Sequence, residues 1–385
     1  MEHEEIKLFE LVDTISDTRK IDKDKVVLVN TSDVLAGEVL NHTYSENCNL
    51  RGQFKKRFKL GDILYSEIRP ANKRFAYIDF SSEDYIASTK LMVLRRKSDK
   101  ITNRYLYYCL TNDLFIDRMQ QLAEARSGTF PQITFDVIKG ESIYLPSVDD
   151  QNKITCILDN INNKIRLNCE INNNLSKLCN NIFHNYLDKY EDKIENKKIV
   201  DIVNKVVTGK TPSTANKEFW DGIIPFITIP DMHNQIFTIK TERNITELGA
   251  KSIIPKNSIS VSCIATVGLV SINTKESQTN QQINSIVLKN DYDLYFLYEY
   301  LSEQEDFMKS IAGGSTTYNI NKNTFENIEV PYLPKELLID FNNVVCNMFE
   351  KIKNNQYENE ELSQLRDTLL PNLMNGEIDL DSIEI

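Results

Sequence analysis

Apolar residues in two stretches, 146–187 and 332–373, recur at alternating steps of three and four, and the stretches superpose when slid by 187 positions. Ile154, Ile157, Ile161, Ile165, Leu175, Leu178 and Ile182 then fall on Phe341, Val344, Met348, Ile352, Leu362, Leu365 and Leu369. This is the a/d stripe of a coiled coil, and it predicts two long amphipathic helices. Asn168 and Asn355 take the same a position in the two copies. A polar residue there costs stability but fixes register, because a slipped pairing would bury its amide without a mate. Two unrelated helices on separate cores have no reason to share seven apolar positions and an Asn at one offset. The pattern predicts a duplicated unit whose helices pack on each other. The expected seam is Ile154, Ile157, Ile161, Asn168, Leu175 and Leu178 against Phe341, Val344, Met348, Asn355, Leu362 and Leu365.

The rest of the chain repeats as well, with looser spacing. Residues 1–145 read as a mixed α+β domain: a short helix over 7–12, a strand over 26–34, strands at ILYS and FAYIDF around the Pro70–Asn72 turn, and another at 88–96. Leu106, Leu110, Phe115 and Met119 predict one helix over 103–122, and the strand-like ESIYLP leads into the first long helix. Residues 198–331 follow the same order. KIVDIV answers KLFELV, IPFITIPDM answers VLVNTSDV with Asp231 opposite Asp33, and LYFLYEYLSEQEDFM answers RYLYYCLTNDLFIDRM. The offset drifts from 191 to 198 and returns to 187, so loops differ while the frame persists. A single long period marks a tandem duplication with two-fold pseudo-symmetry, not a solenoid. Residues 188–197 read as a charged linker and 374–385 as an acidic tail.

A chain of 385 residues exceeds one ordinary core, in keeping with this division. With 41% apolar and 26% charged residues it falls in the globular class. No run approaches a membrane span and the start has no signal-peptide pattern. Seven cysteines form no CxxC pair, so a disulfide framework or zinc site is not expected, and a reduced, cytoplasmic protein is. The four histidines are scattered with no ligand partner at metal spacing. Net charge is −11, which alone does not suggest a nucleic-acid binder, but its distribution is uneven. Residues 51–104 carry 14 Lys and Arg against 6 Asp and Glu, while 331–385 carry 4 against 11. The balance suits one surface for nucleic acid and another for a protein partner, and a solvated face would look similar.

Catalytic patterns are missing. VTGKTPS at 207–213 contains GKT, but Asn204 stands where a phosphate-binding loop needs its first Gly. There is no G-x-G-x-x-G after a strand, no H-E-x-x-H, no G-x-S-x-G and no Asn-Pro-Pro-aromatic tetrapeptide for a flipped base. A loose nuclease cluster of the PD…D/E-x-K kind does not stand out.

GKTPSTANKEFWDGIIPFITIPDM at 209–232, IPKNSISVSCIATVG at 254–268, TNQQINSIVL at 279–288 and GGSTTYNINKNTFENIEVPYLP at 313–334 occur in this order before the second long helix. With the duplication, they give a chain that resembles the specificity subunit of type I restriction–modification systems over nearly its whole length. The first half departs from the pattern: ISDTRK replaces the GKTPS stretch and RSGTFPQI stands for GGSTTYNI. The resemblance implies an α+β fold of two tandem-duplicated target recognition domains, each followed by a long helix, the helices forming an antiparallel coiled coil. It implies double-stranded DNA with a bipartite site as ligand, two methyltransferase subunits that carry S-adenosylmethionine docked on the helices, and motor–nuclease subunits where present. The chain itself would hold no cofactor or metal, cross no membrane and catalyse nothing. A helix of 33 residues is about 50 Å long, and DNA rises about 3.4 Å per base pair. Two reading heads on such a spacer would lie on the order of one to one and a half helical turns of DNA apart.

Phosphates call for Lys and Arg, and base edges for Arg, Lys, Asn, Gln, Ser or Thr on loops. In the first domain the candidates are Arg51, Lys55, Lys56, Arg57 and Lys59 for phosphates, with Arg69, Lys73 and Arg74 for either role. In the second they are Lys210, Thr211, Ser213, Thr214 and Lys217, then Arg243, Thr266, Thr316 and Tyr318. Residues 198–330 carry 12 basic against 15 acidic side chains, so more neutral hydrogen bonding is expected there. Two other readings stay open. One is a coiled-coil scaffold that binds proteins, which would lack the steep salt dependence of DNA binding. The other is a stand-alone DNA-modifying enzyme whose site has no recognisable motif.

Overall fold

The computed structural model describes residues 4–48, 50, 52–126, 130–313, 318–374 and 376–378. It divides into two compact units, Met1–Asn162 with Gln364–Ile385, and Asn163–Ser363.

In the first unit, Leu91–Arg96 pairs antiparallel with both Val12–Thr14 and Ile63–Ser66, and Phe75–Tyr77 extends the sheet beyond Ile63–Ser66. Leu91, Met92, Val93 and Leu94 are all buried, as are Ile63 to Ser66, so both faces of these strands are covered. That explains why LMVL and ILY read as continuous apolar runs and do not alternate. A second sheet places Lys25–Val29 parallel to Tyr85–Ser88, with Tyr44–Glu46 and Phe54–Lys56 outside them. Glu4–Lys7 pairs antiparallel with Ser142–Leu145.

The second unit repeats the frame of this plan, with Phe237–Thr238 added to the edge of its main sheet. Ile283–Leu288 lies between Val203–Thr208 and Ile259–Ser262, Val270–Asn273 follows, and Trp220–Ile227 runs parallel to Ser277–Thr279. Glu195–Lys198 pairs with Glu329–Tyr332 as Glu4–Lys7 does with Ser142–Leu145. The linker expected over 188–197 is shorter: the helix runs on to Lys189, a turn occupies Glu191–Lys193, and Glu195–Lys198 is strand. Charged residues suit an edge strand as well as a linker, and only the pairing partner distinguishes them.

Other boundaries moved for local reasons. The strand expected over 26–34 ends at Val29, where Asn30 and Asp33 close a capping box around Thr31–Asp33. Thr228 and Asp231 close the same box in the second unit, each carboxylate accepting the cap residue's backbone N–H at 2.7 Å. The single helix expected over 103–122 is two, Asn103–Thr111 and Asp113–Arg126. Asn112 breaks it by donating to the Tyr108 and Cys109 carbonyls while accepting from the Phe115 N–H. One side chain caps both helices.

The long helices are Val148–Lys189 and Lys335–Met374. Within the second unit they run antiparallel: Asn168 bonds Asn359, Asn172 bonds Asn355, Cys179 lies 3.9 Å from the Met348 sulfur, and Tyr186 donates to Asp340. Ile154, Ile161, Asn168, Phe341 and Asn355 are buried, and Leu175 and Met348 are half-buried against the core. Ile157 and Leu362 are half-buried. Leu178, Val344 and Leu365 are exposed, contrary to the expected seam, and Leu158, Cys179, Val345 and Phe349 are buried in their vicinity. The reason is that each helix contributes a segment to both units, and within each unit that segment covers other core elements besides the neighbouring helix, which widens and rotates the apolar arc beyond a strict a/d stripe. Tyr295, stacked on Phe349 with centroids 4.2 Å apart, is one such contact. No helix among the described residues is long and apolar enough to cross a membrane.

Candidate nucleic-acid interface

In the first unit three candidate cations, Arg69, Lys73 and Arg74, lie on or beside the turn that follows Ile63–Ser66. The Arg69 backbone is left-handed at φ 43°, Pro70–Asn72 makes one 3-10 turn, and Lys73 is left-handed at φ 51°. Such φ values are disfavoured for residues with a Cβ, so the turn has to be held from outside. The Arg69 N–H donates to the Pro131 carbonyl at 3.1 Å, the Ala71 N–H to Gln120 at 3.1 Å, and Lys73 pairs with Asp113 at 2.6 Å.

Not every lysine and arginine chosen from sequence is available. The Lys56 ammonium donates to the carbonyls of Thr89 and Leu91 at 2.9 and 2.8 Å, with the Glu67 carboxylate 4.0 Å away, and burial lowers its pKa. Arg74 turns inward to the Ser32 and Val34 carbonyls at 3.0 and 3.2 Å. These two side chains hold loops and are poorly placed for phosphates. Lys55, Lys59 and Arg69 are exposed, and Arg57 is half-buried beside a backbone bridge to Asp17. Arg51 lies outside the described residues.

The second unit mixes a few cations with neutral groups. Gly209 packs so closely on the loop after Ser277–Thr279 that a Cβ would meet the Asn280 carbonyl at 2.1 Å. The Lys210 carbonyl accepts from Gln278 at 2.7 Å, and the Thr211 hydroxyl donates to Gln281. The Cys263 N–H donates to the Gln282 carbonyl, and the Ala265 N–H to the Tyr318 carbonyl at 3.0 Å. Thr211 and Cys263 are thus tied to the loop Asn280–Gln282, and Lys210, Thr211, Thr266 and Tyr318 are all exposed. Ser213 accepts the Trp220 indole N–H at 3.1 Å, and the Arg243 guanidinium lies 3.4 Å over that indole. Thr214 and Lys217 are exposed on the same segment. Thr316 lies outside the described residues. Sequence reasoning did not select Asn280, Gln281 and Gln282 as candidates; their signal was an amide run between two apolar strands.

The turns of the two units correspond. Ile68 bridges Gln132 as Ile264 bridges Asn319, and Arg69 and Ala265, each the next residue, are both left-handed, at φ 43° and 66°. Backbone is kept while side chains change, from cations in one unit to hydroxyls and amides in the other. Among the described residues no three His, Cys, Asp or Glu are grouped to hold a metal.

A duplicated frame that keeps its turns and varies what they carry defines a protein of two tandem, related α+β domains. The family model "Type I restriction modification DNA specificity domain" matches twice, over residues 2–177 and 191–362. The chain belongs to that family. It is 36% identical to the type I restriction enzyme HindI specificity subunit of Haemophilus influenzae, across 92% of this chain and 94% of that one. It is 24% identical to the putative type I restriction enzyme MjaX specificity subunit of Methanocaldococcus jannaschii, across 94% and 89%. The crystal structure of a type I restriction–modification system S subunit from M. genitalium has the same fold, with a TM-score of 0.58 at 16% identity over 97% of this chain and 96% of that one.

Proposed function

We propose that this chain is the DNA-reading subunit of a type I restriction–modification complex, with each unit recognising one half of a bipartite target. The observation that carries the reading is the pair of corresponding turns: the same backbone presents Arg69 in one unit and Ala265 beside Thr266 in the other. Two copies with unlike side chains suit a target whose halves differ. Phosphate contacts would come chiefly from the first unit and neutral base-edge contacts from the second. The chain would direct adenine methylation by two methyltransferase subunits that carry S-adenosylmethionine, and restriction where motor–nuclease subunits join, while transferring no methyl group itself. Leu167, Ile171 and Leu178 on the first long helix and Val344 and Leu365 on the second are exposed apolar side chains, which suits helices that receive protein partners.

A map of methylated adenines in the source cell, with and without this chain, tests the reading. Loss of one bipartite motif is the expected result; an unchanged map with the methyltransferase expressed overturns it. A protein-binding scaffold is the second reading, favoured by Ile223 and Leu248, 87% and 69% exposed. It predicts binding that lacks the steep salt dependence of DNA association.

A further inference from the structure

We infer that Arg69 is a base-reading residue of the first unit, taking the O6/N7 edge of a guanine, and that its counterpart Ala265 reads no guanine in the second. The inference rests on the proposed DNA-reading function and goes further by assigning a base to a side chain.

The availability of the side chain comes first. Five cations stand on or next to the turn: Lys56, Arg69, Lys73, Arg74 and Lys90. Lys56 and Arg74 are spent on backbone carbonyls, Lys73 on Asp113, and Lys90 lies 3.7 Å from Glu67. Arg69 is exposed and has no side-chain partner among the described residues. A guanidinium with all its N–H groups free retains the planar fork that matches guanine O6 and N7 together.

The backbone argues next. A left-handed residue is cheapest as glycine, because a Cβ there crowds the backbone. The frame imposes this conformation in both units, since the N–H of residue 69 and of residue 265 each donates to the facing loop, at Pro131 and Tyr318. Neither position holds glycine, yet one holds Arg and the other Ala. The conformation therefore does not select the long side chain, and packing does not either, because Arg69 is exposed. The guanidinium is therefore unspent within the chain and open to a ligand outside it.

The turn is also well supported for reading. Proline fixes residue 70, the Asn72 N–H closes on the Arg69 carbonyl at 2.9 Å, and the Ala71 N–H is tied to Gln120. A side chain on a fixed base loses less entropy on binding than one on a loose loop.

The test uses the complete methyltransferase complex with this chain carrying Arg69→Gly, which suits the left-handed backbone, or Arg69→Lys, which keeps the charge and loses the fork. Methylated-adenine maps should show one half-site unchanged and one G·C position of the other degenerate in both variants. Affinity for the original site should fall on the order of ten- to a hundredfold. Replacing that guanine by 7-deazaguanine should weaken the unsubstituted complex and leave Arg69→Gly unaffected. Both half-sites unchanged, or a uniform loss over all sequences with a shallower salt slope, overturns the assignment in favour of no contact or a phosphate contact. If Arg69→Gly yields no methylation, the map of Arg69→Lys decides. If the unsubstituted chain confers no bipartite motif, the proposed function falls, and this inference with it.

Discussion

Asn355 donates its side-chain amide to Asn172 at 2.8 Å, and Asn168 donates to Asn359 at 2.9 Å. Each pair is the image of the other under the 187-residue offset of the duplication, so the pseudo-dyad of the sequence passes between them. Asn168 also donates to Glu358 at 2.8 Å, and Lys164 pairs with the same carboxylate at 3.3 Å. Asn168 and Asn355 are each 1% exposed, and the Asn355 carbonyl oxygen is buried without a partner among the described residues. Such a layer lowers stability relative to an apolar one and penalises every slipped register. Replacing Asn168 and Asn355 by Leu should raise the unfolding free energy by about 1 kcal/mol per site, and the urea midpoint with it, and broaden the elution profile as other registers become accessible. A lower midpoint with a single sharp species would count against a register lock.

The helix pair should also set the distance between half-sites. Matched seven-residue insertions, one within 161–175 and one opposite it in the second helix, keep the heptad phase and lengthen each helix by about 10 Å. The methylated motif should then keep both half-sites and widen its spacer by about three base pairs. A changed half-site sequence would sink the idea that spacing and reading are separate.

Burial pushes the Glu299 carboxyl up to about 7, against a lowering by the Asn180 amide at 3.2 Å, and one of its oxygens has no partner among the described residues. A folded-state pKa above the unfolded value means that the folded chain holds this proton more tightly. Stability is therefore lost as pH rises from about 4.5 to about 7, amounting to about 3 kcal/mol above that window. Glu299→Gln should flatten this part of the profile, with little change at pH 4 and higher stability at pH 8. Thermal unfolding across that range reads the difference, and parallel curves for the two proteins would refute it.

Adjacent lysines should behave differently. Lys56→Ala removes a donor from the Thr89 and Leu91 carbonyls and should destabilise the first unit by about 1–3 kcal/mol. Lys55→Ala should leave unfolding within about 0.5 kcal/mol of the parent and weaken DNA binding evenly across sequences, with the salt slope shallower by about one. Equal unfolding losses at both positions would contradict this division.

Much of the architecture was legible because it is local or repeated. The seven-position match announced two long helices, the Asn at one offset announced their polar layer, and the alignment of Asp33 with Asp231 matched two capping boxes built within four residues. Periodicity, caps and duplication act over a few residues or along the chain itself, so the sequence alone determined the number of units, their order and the type of most elements. Other features depend on what lies opposite in space. Whether Leu178 or Cys179 faces inward depends on what packs beside the helix, and whether Lys56 is a phosphate contact or a loop support depends on carbonyls 33 and 35 residues away. The left-handed turn at Arg69 is held by Pro131 and Gln120, far along the chain. Side-chain partners across such separations are chosen by packing and unmet hydrogen bonds, which only the tertiary structure decides.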